Sequence, residues 1–328
     1  MADDSIRPAP LQAGDEVRVI APSLSLARIS PENRAIANAR FAEMGVRLSF
    51  GRHVEECDRF HSSSTTSRVE DLHEAFTDDG VAAVLTVIGG QNCNQLLPFI
   101  DWDLIAAHPK IFCGFSDITI LGCAIHARTG LVTFSGPHYS TFAMRQHIGQ
   151  TRDWFRAMLF SDRPVAVEPA TTWSDDEWFA SQDDRTIRPN HGHWVLVEGE
   201  AEGRLIGGNL CTLNLLQGTA WMPDLCGAVV FVEDDYLSYP ETFDRDLTSL
   251  TQQPGFEDVR GLLIGRFQTA SEMTQEDLVA IIAANRRLDG MPIVANVDFG
   301  HTDPLLTIPI GGRAVVRAAP EATEIRID

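Results

Sequence analysis

Four segments of the chain carry residues able to do chemistry, and each lies where an apolar run gives way to a loop. The first is KIFCGFSDITI, residues 110–120. A strand is expected to end at Cys113, with Gly114 allowing a tight turn and Ser116 landing at the start of the next helix. A hydroxyl there is exposed at the carboxyl edge of a parallel sheet, where such folds place ligands. The helix N-terminus adds free N–H groups for a developing oxyanion. The arrangement is like a nucleophile elbow, although Ile118 stands where G-x-S-x-G has its second glycine. The plain alternative is a serine that only caps the helix.

Residues 87–95, VIGGQNCNQ, make the same kind of strand-to-loop transition. Gly89 and Gly90 let backbone amides approach a ligand as a phosphate cradle or half of an oxyanion hole, or they serve only a turn. No G-K-[ST] follows, so this is not a P-loop. In residues 229–235, VVFVEDD, Glu233 closes an apolar strand and Asp234 and Asp235 follow; a cap or a solvated turn is the plain reading. His301, in VDFGHTDPLLTIPIGG, again follows a strand. Nucleophile, carboxylate and imidazole at strand ends are the three parts a serine hydrolase needs. His138, in FSGPHYSTF, is the rival imidazole and could line a site, whereas His126, His191 and His193 read as structural. No histidine pair has metal-ligand spacing such as H-E-x-x-H, and the six cysteines form no C-x-x-C, so no metal site and no disulfide framework is expected.

The elements that must position these residues alternate in the first half. Strands are expected at 17–21, 46–50, 81–88 and 110–113, and helices at 31–44, 65–76 and 117–127. Ser30 is placed to cap the first helix, with Pro31 at its first position. Such alternation points to a doubly wound parallel sheet, an α/β domain over residues 1–162. Residues 163–193 lose their periodicity in a polar, Trp-bearing stretch, read as a linker plus a loop able to fold over a site. Residues 194–328 read as a smaller, β-rich α+β domain, with strands at 194–197, 228–233, 261–266, 292–297, 314–317 and 324–327 and helices at 242–251 and 274–284.

A chain of 328 residues is long enough for two such domains at roughly 150 residues each. Its net charge of −20 opposes binding to nucleic-acid phosphates or an anionic membrane surface, so neither partner is expected. The N-terminus lacks an apolar signal core and no stretch approaches the length of a membrane span, so a cytoplasmic protein is expected. Lys110 is the only lysine.

Taken in order and spacing, IGGQNCNQLLP, KIFCGFSDIT, GLVTFSGPH, EGEAEGRLIGGNLCTLNLLQGT, VVFVEDD and FGHTDPLLTIPIG resemble the LD-carboxypeptidase family of serine peptidases, and within it the microcin-immunity branch. The resemblance runs over nearly the whole chain. It implies a Ser-Glu-His triad of Ser116, Glu233 and His301, with oxyanion donors at the backbone amides of Gly90 and Asp117. Ser116 would attack an amide and His301 would act as general base. It implies substrate contacts at Gly89, Asn209 and His138, and at Trp173 and Trp178, which resemble a loop that stacks on a nucleobase. No cofactor is implied; the substrate would be a small peptide or aminoacyl nucleotide, and the protein a homodimer. Murein-recycling members carry Arg-Gly-Gly-Tyr-Gly where this chain has Ile88-Gly89-Gly90-Gln91-Asn92. A murein tetrapeptide carboxypeptidase and a non-catalytic binding protein on the same scaffold are the alternatives.

Overall fold

A computed structural model describes residues 5–328. Its first sheet has six strands in the order Ile308–Ile310, Thr133–Ser135, Ile111–Cys113, Val81–Thr86, Glu16–Ile20, Arg47–Phe50. All neighbours pair parallel except the first two, where Ile308–Ile310 runs antiparallel to Thr133–Ser135. Val81–Thr86 is an apolar run of almost entirely buried residues, as a parallel strand covered on both faces requires. The chain order reverses between Glu16–Ile20 and Val81–Thr86, and open α/β sheets bind ligands beyond the carboxyl ends at such a switch point.

Expected caps form. The Ser30 side chain accepts from Asn33 N–H, opening the helix Pro31–Glu43, and Ser64 does the same for Thr65–Thr77. The helix after Ser116, Thr119–Thr129, is buried from Thr119 to His126 and carries no polar stripe. It is packed on several sides, against Thr133–Ser135, the helix Leu210–Asn214 and the strand Gly199–Asn209.

The second sheet has eight strands in the order Val165–Ala166, Glu324–Ile327, Arg313–Ala318, Gly199–Asn209, Ala228–Glu233, Gly261–Gly265, Ile293–Val297, Trp194–Val197. Its four central strands, from Gly199–Asn209 to Ile293–Val297, are parallel. The sequence reading misses Gly199–Asn209, because Gly199, Gly203, Gly207 and Gly208 argue against a strand. Two of these glycines are explained by close approach. A Cβ on Gly207 would lie 1.7 Å from the Phe231 carbonyl oxygen, and one on Gly208 would lie 2.6 Å from the Thr119 side chain. Across that contact Cys123 Sγ donates to Gly207 O at 3.3 Å, and Asn209 N–H donates to Thr119 Oγ1 at 3.0 Å. The helix that follows Ser116 is thus seated directly on the second sheet.

Also absent from the sequence reading are the helix Gly149–Leu159 and the strands Thr133–Ser135 and Ile308–Ile310. The last comes from near the end of the chain yet completes the first sheet. Three-residue strands carry too little periodicity to be seen. All six cysteines are free thiols; Cys93, Cys113 and Cys123 are buried, while Cys57, Cys211 and Cys226 are exposed. Among the described residues no helix is long and apolar enough to cross a membrane.

Candidate active site

Ser116 follows the strand Ile111–Cys113 and opens the short turn Ser116–Ile118 that leads into the helix Thr119–Thr129. Its φ of +61° is left-handed, a conformation that costs a non-glycine residue about 1–3 kcal/mol and that concentrates at functional sites. The turn projects the hydroxyl toward the second sheet. Ser116 Oγ lies 3.1 Å from His301 Nε2, and His301 Nδ1 lies 2.8 Å from Glu233 Oε2. A carboxylate only accepts, so Nδ1–H donates to Glu233 and Nε2 is left to accept the Ser116 proton.

Glu233 ends the strand Ala228–Glu233 and is 3 % exposed. Of the three acidic residues read at this strand end, it is the one that meets the imidazole. Asp234 turns instead to Asn209 Nδ2, at 3.3 Å, and burial beside Glu233 pushes its carboxyl up to about 6. Burial on its own pulls the His301 pKa down, but the Glu233 carboxylate, with Asp235 and Asp234 beyond it, holds the net value above the usual histidine range. The geometry therefore favours the imidazolium that a general base forms.

Gly89 packs against Ser116, and Gly90 against the Ser23–Leu24 segment. A Cβ on Gly89 would lie 2.9 Å from Ser116 Cβ, and one on Gly90 would lie 2.2 Å from Ser23 Oγ, so neither position accommodates a side chain without a shift. Among the described residues no protein acceptor takes the backbone N–H of Gly90 or of Asp117. The Asp117 side chain has a role the sequence reading missed. Its Oδ2 accepts from Ser23 Oγ at 2.6 Å, Asn92 N–H at 2.9 Å and Cys93 N–H at 3.0 Å, tying the glycine loop to the Ser116 turn. An Asp at a helix start reads as a cap, which conceals a tie across 25 residues.

Ser116, His301, Gly89 and Gly90 line one cavity of about 510 Å³, together with His138, Trp178 and Phe179. His138 stacks on Phe115 with ring centroids 4.4 Å apart and bonds Thr86 Oγ1 at 2.8 Å. Burial and the neighbouring His301 push its pKa down to about 3, so it is neutral and serves as a wall rather than a base. Two expected contacts lie elsewhere. Trp173 has the Arg188 and Arg266 guanidiniums over its ring, 5.1 and 5.2 Å from the centroid, and lines other cavities; two cation–π contacts hold the indole there. Asn209 is 2 % exposed, and its amide is committed to capping Thr212 N–H and to Asp234.

The loop bearing Trp178 is clasped to the His301 segment. Ser174 and Asp303 exchange two backbone hydrogen bonds, of 2.9 and 2.8 Å, and the buried Arg185 guanidinium reaches Asp303 Oδ2 at 3.1 Å and Asp176 Oδ2 at 3.4 Å. Arg185→Met is expected to destabilise the fold by about 3 kcal/mol, since it leaves two partly buried carboxylates without their cation. A denaturant titration of both proteins checks this. Among the described residues no three His, Cys, Asp or Glu side chains converge as metal ligands.

A doubly wound sheet that presents a serine to an imidazole and a carboxylate on a second sheet has a geometry that serine hydrolases share. Comparison with known families makes it specific: residues 17–136 match the LD-carboxypeptidase N-terminal domain and residues 202–316 the LD-carboxypeptidase C-terminal domain. The chain belongs to the LD-carboxypeptidase family. It is 48% identical to the YocD protein of Bacillus subtilis, over 97% of this chain and 98% of the relative, and 33% identical to a "Probable murein peptide carboxypeptidase" of the same organism, over 97% and 94%. The structure matches that of an MccF-like protein from Bacillus anthracis with a TM-score of 0.97 at 50% identity, covering 98% of this chain and 99% of that one. It matches the microcin C7 self-immunity protein MccF in complex with aspartyl sulfamoyl adenosine with a TM-score of 0.88 at 27% identity, covering 98% of each chain.

Proposed function

We propose that the protein is a serine-type hydrolase that cleaves the amide between an aminoacyl or peptidyl group and a nucleotide-like group. The observation that carries this is the unbroken hydrogen-bonded chain from Ser116 through His301 to Glu233. Ser116 Oγ attacks the carbonyl carbon while its proton passes to His301 Nε2. The resulting oxyanion is received by the free N–H groups of Gly90 and Asp117, as donors pre-aimed at developing charge. The tetrahedral species then expels the nitrogen leaving group, which takes the proton from Nε2–H. Water, deprotonated by the same nitrogen, releases the acyl group and restores Ser116.

The nucleotide side of the reading is supported by Trp178 in the cavity wall, whose indole offers a face for stacking worth about 1–3 kcal/mol per base, and by the aspartyl sulfamoyl adenosine complex of the relative. The 33% identity to the murein peptide relative favours a second reading, release of a terminal D-alanine from a murein tetrapeptide. Incubating the purified protein with an aminoacyl sulfamoyl adenosine and with the tetrapeptide, and following both products by mass spectrometry, separates the two. Cleavage of the nucleotide analogue is the expected result; D-alanine release alone overturns it. The homodimer implied by the family resemblance, the cytoplasmic setting expected from the sequence and the division of the chain at residues 162 and 194 belong to this same proposal.

A further inference from the structure

The cavity in front of Ser116 is unusual in its charges. Asp175, Asp176, Glu177, Asp235 and Asp303 line it, and no lysine or arginine does. Three of these acids are already neutralised from behind: Arg188 reaches Asp175 at 2.7 Å, and Arg185 bridges Asp176 and Asp303. Two are not. Among the described residues neither Glu177 nor Asp235 has a cationic partner; the Asp235 carboxylate accepts only from Leu237 N–H, at 2.8 Å. The same wall holds two further unsatisfied groups. Thr302 is 3 % exposed and its hydroxyl has no partner, and the Gln268 side-chain oxygen is buried without a donor. Beside the hydroxyls of Ser140, Thr141 and Tyr236, the wall thus holds two carboxylates with no cationic partner and a side-chain amide oxygen with no donor.

The single lysine cannot supply a positive charge. Lys110 is 8 % exposed and does not line the cavity; its ammonium donates to the carbonyl oxygens of Ala75 and Asp78. Relatives differ here. One solved structure of MccF is described as an active-site mutant in which a serine, an asparagine and a lysine are replaced, and others hold glutamyl or aspartyl sulfamoyl nucleosides, whose acyl groups are acidic. A lysine is the natural partner for an acidic acyl group, and this chain has none to give.

Resting on the function proposed above, we infer that this cavity selects a substrate whose acyl group bears a cationic side chain, with Asp235 and Glu177 as the specificity-determining residues, and rejects acidic acyl groups. A lysine-like ammonium finds two uncompensated carboxylates and the Thr302 and Gln268 oxygens. An aspartyl or glutamyl group meets like charge and unpaired acceptors, an arrangement that works against binding. An alanyl group meets neither.

The test compares kcat/KM for lysyl, alanyl and aspartyl sulfamoyl adenosine. The lysyl compound is expected to exceed the aspartyl one by about tenfold or more, with alanyl between, and the gap is expected to shrink in high salt. The double variant Asp235→Asn, Glu177→Gln is expected to bring the three toward equality. Equal or better turnover of the aspartyl compound, or an order that the double variant leaves unchanged, overturns the inference. If none of the three is cleaved, the proposed reaction fails and selectivity is read instead from protection of Ser116 against a fluorophosphonate label. Aspartyl protecting as well as lysyl then overturns it.

Discussion

Ser116→Ala is expected to lower the rate of amide hydrolysis by about 10⁴-fold or more while leaving the fold intact. The loss follows because the remaining groups, oxyanion donors and binding surface, supply only the residual catalysis seen when a triad nucleophile is removed. The fold should survive because Ser116 Oγ bonds only His301, and alanine pays a similar backbone penalty at a φ of +61°. The midpoint of thermal unfolding is expected to stay within a few degrees. Single-turnover assays at saturating substrate, with a melting curve on the same samples, check both halves. Full hydrolysis by the variant would remove Ser116 from the role of nucleophile, and substrate binding without hydrolysis by both proteins would support a binding protein on this scaffold.

Glu233→Gln carries the second large effect, a loss of about 10³–10⁴-fold. Glu233 does two things for His301. It fixes the tautomer, by accepting from Nδ1, and it stabilises the imidazolium formed when Ser116 gives up its proton. An amide can do the first poorly and the second not at all. The pH profile gives a signature that a purely structural defect lacks. With neutral His301 as the proposed base, the wild-type rate is expected to rise with pH through a pKa held above the usual histidine value by Glu233, and to fall below it. Without that carboxylate, burial is left as the dominant influence and pulls the pKa down, so the acid limb of the variant should move to lower pH. A limb that stays in place would remove Glu233 from the role of orienting residue.

Gly300 shows how narrow the tolerance is around that pair. A Cβ there would lie 2.8 Å from Glu233 Oε2, so the loop passes over the carboxylate with only a hydrogen to spare. On the Ser116 side, Gly89 packs against the serine and the Asp117 carboxylate ties the glycine loop to the Ser116 turn, so both halves of the site are closely packed.

Much of this was legible along the chain. A serine after a strand and a glycine, a carboxylate closing an apolar strand, and a histidine past another strand are local patterns, because a strand's end and the following turn are set by residues only a few positions apart. The alternation that defines the parallel sheet is equally local, as are the caps at Ser30 and Ser64. What stayed hidden has no local cause. Gly199–Asn209 is a strand because neighbours on both sides supply its ladder and because its glycines admit the helix from Thr119, not because of its own propensity. Residue types alone did not separate Glu233 from Asp234 and Asp235, or Trp178 from Trp173. The strand's alternation and pairing turn Glu233 toward His301 and Asp234 toward Asn209. Two arginines hold Trp173 away from the Ser116 cavity. His301 meets Ser116 across 185 residues and Glu233 across 68, and a contact of that span is made by packing one helix onto one glycine-bearing strand. The chain spells out the chemical groups and the turns that expose them, while their meeting depends on long-range packing, which no short window of sequence contains.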